Sequence, residues 1–321
     1  MNKALLILIL TAWVGVLVAT YIHKNFYHKN MTAKELLPVN KDRLYADVEF
    51  LTQVTPPRNA FNVASLNKSA AYIYQQFGKI SDRVIYQTFK VGPQEYKNII
   101  LSVGPETGER IVVGAHYDVC GDQPGADDNA SGVAGLLEIA RMVHEQKPDL
   151  RYRIDFVAFA LEEPPYFKTD DMGSAVHAKS LAAAGVKLRG MVCLEMIGYY
   201  SEKKNSQRYP AALKAIYPDK GNFISVVGNM GQGNLVKHLK KYMQAGSQID
   251  VESLTAPASV PGVDFSDHLN YWRYNYPAAM ITNTAFFRNP HYHLESDTID
   301  TLDFSKMAEV VKGVYWAIVH L

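Results

Sequence analysis

Two adjacent glutamates, Glu162 and Glu163, end the apolar run FVAFALEEP. Upstream of them, GAHYDVCGDQPGADDNASG carries His116, Asp118, Asp127 and Asp128. Downstream, CLEMIGY carries Glu195 and PHYHLESDT carries His293. Imidazole nitrogen and carboxylate oxygen are ligands that zinc takes at about 2 Å, and a catalytic zinc keeps one position open for water. Two zincs about 3.5–4 Å apart can share a carboxylate and a water, and together polarise a carbonyl. The inventory supplies ligands for such a pair, with one carboxylate left over as a base. Consecutive residues of an extended chain point opposite ways, so one glutamate can bind metal while the other faces the water.

Singly, each piece has an ordinary explanation. A histidine after a strand is commonly solvated or capped, and a Glu-Glu pair at a strand end is commonly surface. Asp-Asp-Asn ahead of a helix is commonly N-cap chemistry, with Asn129 or Ser131 as the cap. Their placement along the chain argues otherwise. Apolar residues at three-and-four spacing predict helices over 42–51 and 66–77. Residues 83–89 and 98–103 read as strands. RIVVGA at 110–115 is the short continuous apolar run of a central strand. A helix follows over 131–146, with Val133, Leu136, Leu137, Ala140 and Val143 as its apolar face. Strands at 152–161, 187–194, 223–227 and 278–282 are joined to helices at 174–184, 234–244 and 304–319, the first closed by Gly185. This alternation predicts an α/β sandwich with a largely parallel sheet. In open sheets of that kind, ligands bind outside the carboxyl ends of the strands. His116 and Asp118 follow the 110–115 strand, and Glu162 and Glu163 end the 152–161 strand. Glu195 ends the 187–194 strand, and His293 lies in the loop after 278–282. Chance would scatter such residues along the strands.

In this order and spacing, AHYD, PGADDNASG, an apolar strand ending in EE, LEM and H-x-x-x-D-T resemble the di-zinc aminopeptidase family, metallopeptidase family 28, over residues 41–321. The resemblance implies a three-layer sandwich of zinc-exopeptidase type, with a central, largely parallel mixed sheet flanked by helices. It implies two zinc ions per chain and peptide substrates. His116 and Glu195 would bind one zinc, Glu163 and His293 the other, and Asp128 would bridge them. Glu162 would be the general base for an activated water, and Asp118 would orient His116. SDH at 266–268 also resembles a motif found near the site in family members, which makes Asp267 and His268 structural or supporting residues. Two departures stand out. Family members often carry Asp where this chain has Glu195, and PPYFKTDDM intervenes between the glutamate pair and Gly173. The second is expected to form an ordered loop that shapes substrate access. The nearest alternative activity is that of a glutaminyl cyclase, an acyl transferase with one zinc. A catalytically inactive, partner-binding ectodomain is a third reading. The complete GADDN motif and His116 favour two metals and hydrolysis, most simply by an aminopeptidase. No G-x-S-x-G elbow is present for a serine hydrolase.

Composition narrows the classes further. The 321 residues are 48% hydrophobic, enough for one large core. Thirty-three basic against 32 acidic residues leave a net charge of +1, so no basic field exists to attract nucleic acid. Two cysteines, Cys120 and Cys193, exclude a disulfide scaffold. They could form one bridge, although free buried thiols are the favoured expectation. Phe265, Tyr271, Trp272, Phe286 and Phe287 could line an apolar specificity pocket or fill the core. Residues 4–22 carry no charge and as a helix would span roughly 28 Å, close to a bilayer's hydrocarbon thickness. Residues 1–24 are therefore expected to be a transmembrane anchor, or a signal segment if cleaved. Residues 25–40 read as a linker and 41–321 as the catalytic domain. The extreme N-terminal position of the run favours export, placing that domain in the periplasm or outside the cell. Oligomeric state has no signature in the sequence.

Overall fold

The computed structural model describes residues 39–210 and 213–321. Apart from Val39 and Asn40, the expected anchor and linker lie outside the described residues. Among the described residues, no helix is long and apolar enough to cross a membrane.

Eight strands form one sheet: β1 (Val84–Val91), β2 (Gln94–Val103), β3 (Arg110–His116), β4 (Arg153–Phe159), β5 (Leu188–Glu195), β6 (Ile224–Gly228), β7 (Val251–Thr255) and β8 (Ala278–Thr282). Their spatial order is β1-β2-β4-β3-β5-β8-β6-β7. The four central strands, β4, β3, β5 and β8, are mutually parallel. Antiparallel β2 and β6 flank them on either side. The central strands read as nearly unbroken apolar sequence because helices cover both faces. Along β3, Ile111 and Val113 enter one buried cluster while Val112 enters the other. The first cluster holds the apolar faces of α1 (Lys41–Thr52), α2 (Val63–Gly78), α3 (Gly132–Gln146), α5 (Gly233–Gly246) and α6 (Phe304–His320). The second holds α4 (Gly173–Ala183) and a one-turn helix at Leu269–Trp272. The molecule is thus a three-layer α/β sandwich with a mixed, centrally parallel sheet, as expected.

The anticipated stripe of α3 is buried, but so are Ala134, Gly135, Glu138 and Ile139. The helix lies under α1 and α6 as well as against the sheet, so periodicity shows only part of its contact surface. Glu138 is tolerated there because Arg43 and Arg141 pair with it at 2.7 and 3.4 Å. Strand β7 escapes a sequence reading. It is a sheet edge in which only Val251 is fully buried, so VESLT carries no alternating pattern.

Parallel packing gives β4, β3, β5 and β8 a common carboxyl edge. Neither cysteine is in a disulfide; Cys193 is buried in the second cluster, and Cys120 is only half-buried.

Candidate metal centre

The expected site residues converge on that edge. His116 closes β3 and Glu195 closes β5. Asp128 comes from the irregular turn Ala126–Ser131, where Asp128 and Asn129 leave helical geometry before α3 begins. Glu162 and Glu163 lie just past β4, and His293 lies in the loop beyond β8.

Two trios form around Asp128. His116 Nε2 lies 3.4 Å from Asp128 Oδ1 and 3.3 Å from Glu195 Oε2. His293 Nε2 lies 3.2 Å from Asp128 Oδ2 and 3.4 Å from Glu163 Oε2. Ligands about 2.0–2.1 Å from a tetrahedral zinc are separated by roughly 3.3 Å, which these spacings match. Several ligand-capable atoms here make no hydrogen bonds: His116 Nε2, Asp128 Oδ1, Glu163 Oε1 and His293 Nε2 are all buried without a partner. Leaving a buried polar group unsatisfied costs about 1–3 kcal/mol, so an arrangement of several at one point fits a bound cation. Carboxylates also outnumber imidazoles here. The residues present therefore suit zinc.

A supporting layer fixes these side chains. Both carboxylate oxygens of Asp118 accept backbone N–H bonds, from Glu162 and from Glu163, each at 3.1 Å. Leu161, with φ of +62°, turns the chain immediately before them. The two glutamates thus lie past the end of β4, beyond a positive-φ residue, and not within the strand as the sequence suggested. Asp118 also sits beside His116, whose Nδ1 is 3.2 Å from the Asp118 carbonyl and 3.5 Å from its carboxylate. Asp297 accepts from the backbone N–H groups of Asp127 and Asp128, at 2.9 and 3.0 Å. Asp127 turns away from the trios and accepts from Gly198 N, Asn283 Nδ2 and Asn289 Nδ2 at 2.7–2.8 Å. Ser266 Oγ donates to Glu195 Oε2 at 2.6 Å. Arg58, fully buried, donates to the carbonyls of Leu51, Tyr117 and Gly125 and so braces the loop leading to Asp128. Asp297 and Ser266 lay within motifs visible in the sequence. Arg58, Asn283 and Asn289 had no such signal.

Electrostatics separate the acids. Burial pushes the Glu162 carboxyl well above the ordinary range; His116 opposes this, while Glu163, Glu195 and Asp267 add to it. Burial and then Asp128 raise Glu163 to about 7. For Asp128 burial is outweighed by His116 and His293, which hold it well below the usual carboxylate range. For His293 burial is outweighed by Asp128 and Glu163, which raise it to about 10. Asp267 is fully buried, and burial with Glu195 and Asp118 raises it to about 7 against the opposing pull of His116. His268 instead contacts Val263 O through Nε2 at 2.8 Å and packs edge-on against Trp272, a structural placement.

Beside Glu195 opens an apolar pocket walled by Phe265, Phe286, Phe287, Leu213, Tyr217 and Val260. Buried Arg288 ties its walls together, donating to Gln207 Oε1 at 2.8 Å and Phe223 O at 2.7 Å. Three of the five anticipated aromatics line the cavity. Tyr271 instead is in the second core cluster with its hydroxyl 2.6 Å from His177 Nδ1, and Trp272 donates to Ala278 O. The loop after Glu163 is docked beside the cavity. Phe167 packs edge-on against Phe265, and Lys168 lies over Phe265 while pairing with Asp264 at 2.7 Å.

A centrally parallel α/β sandwich with a histidine–carboxylate cluster at its carboxyl edge defines a metal-dependent exopeptidase fold. Residues 98–317 match the model of peptidase family M28, and the chain belongs to that family of zinc metallopeptidases. It is 47% identical over 300 residues to the Escherichia coli K12 protein "Uncharacterized protein YfbL", covering 90% of this chain and 91% of that one. A zinc aminopeptidase from Bacillus subtilis has a similar fold, with TM-score 0.72 and 16% identity over 89% of this chain and 96% of that one. A glutaminyl cyclase from Bacteroides thetaiotaomicron is similar too, with TM-score 0.68 and 20% identity over 89% of this chain and all of that one (100%).

Proposed function

We propose that the chain is a di-zinc aminopeptidase that removes N-terminal residues from peptides. One observation carries this reading: two histidines share Asp128, each with its Nε2 3.2–3.4 Å from Asp128 and from one glutamate, and neither Nε2 has a hydrogen-bond partner. His116 and Glu195 would hold one zinc, Glu163 and His293 the other, with Asp128 between them. When bound, such ions lower the pKa of a shared water and polarise the scissile carbonyl. Glu162 is the base: it takes the proton of the attacking water and returns it to the leaving amine. Asp118 holds the backbone of Glu162 and Glu163 in place for this work. The surplus of carboxylates favours a substrate's α-ammonium over an α-carboxylate, which supports an aminopeptidase rather than a carboxypeptidase. The aromatic cavity beside Glu195 supports a preference for large apolar first residues.

The same fold serves a cyclase, so the site must decide. The test is zinc content per chain combined with a panel of aminoacyl chromogenic substrates, with free and blocked N-termini. Two zincs with hydrolysis of free-amine substrates supports the reading. One zinc, with ring closure of N-terminal glutamine and no hydrolysis, replaces it with the cyclase reading.

Residues 1–24 are proposed as a membrane anchor, or a signal segment if cleaved, with 25–40 as a linker and 41–321 as an exported catalytic domain. The support is the uncharged run at 4–22, long enough to span a bilayer as a helix. A fusion reporter active only outside the cytoplasm would be silent if the catalytic domain stayed inside.

A further inference from the structure

The two trios differ in one neighbour. Cys120 Sγ, a Glu163 carboxylate oxygen and a His293 ring nitrogen all lie within 4.8 Å of one another. Cys120 is in the loop between β3 and the Asp128 turn, half-buried and in no disulfide. Glu163 is only 3% exposed, and its Oε1 has no hydrogen-bond partner. Zinc accepts thiolate at about 2.3 Å alongside nitrogen and oxygen ligands, so the Cys120 thiol is of a type that could join Glu163 and His293 on one ion. The other cysteine does not offer this to the His116 trio. Cys193 Sγ is 3.1 Å from Ser266 Oγ, in the second core cluster.

We propose that Cys120 is a protein ligand to the metal held by Glu163, His293 and Asp128, an inference that rests on the two-metal reading above. As the sulfur–metal bond forms, the thiol proton leaves to solvent. The consequence is asymmetry. Cys120, Asp128, Glu163 and His293 make four protein ligands, so with the shared water this ion would be five-coordinate. His116, Asp128 and Glu195 make three, leaving the other ion the more open of the two. The open trio is also the one beside the base, since Glu162 Oε2 lies 3.9 Å from His116 Nε2. A thiolate further biases the four-ligand position towards zinc or cadmium over manganese or magnesium.

The test is cobalt substitution of the chelated full-length chain, read by absorption. Bound Co²⁺ gives visible d–d bands, and a thiolate ligand adds a near-ultraviolet charge-transfer band. The wild type is expected to show both. Cys120→Ser and Cys120→Ala should lose the charge-transfer band, keep d–d bands, and bind the second equivalent at least about 10–100-fold more weakly, the loss typical of even an outer-sphere partner. Cys193→Ser should keep both bands. Visible bands without charge transfer in the wild type overturn the proposal whether or not any variant folds, as does a charge-transfer band that survives Cys120→Ser. Saturation at a single equivalent overturns the two-metal reading instead; the charge-transfer band, present or absent, still decides whether Cys120 is a ligand.

Discussion

Glu162 and Glu163 are neighbours in sequence, but different groups face their side chains. Glu163 lies 3.4 Å from His293, which also approaches Asp128, while Glu162 approaches the His116 side with burial raising its carboxyl. A base acts by moving a proton, a ligand by holding charge, and substitution separates the two. Glu162→Gln should retain zinc while kcat falls by about 10²–10⁴-fold. His116→Ala should lose zinc and activity together, so metal analysis beside kinetics checks both. Asp297 tests the supporting layer. Asp297→Asn weakens the acceptor for the Asp127 and Asp128 N–H groups without touching substrate. It should lower zinc affinity by roughly 10–100-fold, measured by chelator competition, and excess zinc should restore most of the activity. The ligand types were legible in the sequence because metal chemistry demands them. The service of Asp118 to the glutamate backbones was not, because it depends on a turn at Leu161 that no pattern announces.

At the scale of elements, the 164–172 loop was expected to order beside the site, and its contacts give that idea content. Arg273 pairs with Asp170 at 2.8 Å and donates to Lys168 O, while Phe167 and Lys168 engage Phe265 in the cavity wall. Replacing residues 166–170 with a short glycine–serine turn should leave zinc content unchanged. It should alter the ratio of kcat/KM between large and small apolar first residues by several-fold, measured across the chromogenic panel; an unchanged profile would remove the loop from specificity. The strands and helices themselves were largely readable, since β3, β4, β5 and β8 are apolar runs and the principal helices carry apolar stripes. Strand β7 and the one-turn helix at Leu269–Trp272 were not, because edge burial and a single turn leave no period to detect.

At the scale of the whole molecule, burial also sets a pH limit on stability. His177 and His268 are buried, and burial lowers each from 6.5 to about 4. At these two positions the unfolded chain binds more protons than the folded one between those values, so their own contribution to stability rises with pH across that window, up to roughly 3 kcal/mol per histidine. The buried carboxyls near the site, raised in the folded chain, act in the opposite direction, so the histidine contribution is read as a difference: denaturant midpoints of wild type and His177→Gln at pH 7 and pH 5 should show the variant losing less stability, or gaining more, on going to pH 5. By itself the sequence determined the class of sheet, the edge at which the site lies, and which residues have the chemistry to bind zinc. Periodicity and side-chain type are local properties, and a parallel α/β order leaves few topologies. Only the tertiary structure decided which oxygen faces which nitrogen, that Asp128 spans two trios, that Phe265 lines a cavity while Tyr271 joins the core, and that Cys120 stands beside one trio alone. Those are distances between segments remote in sequence, fixed by how the sheet and its loops pack.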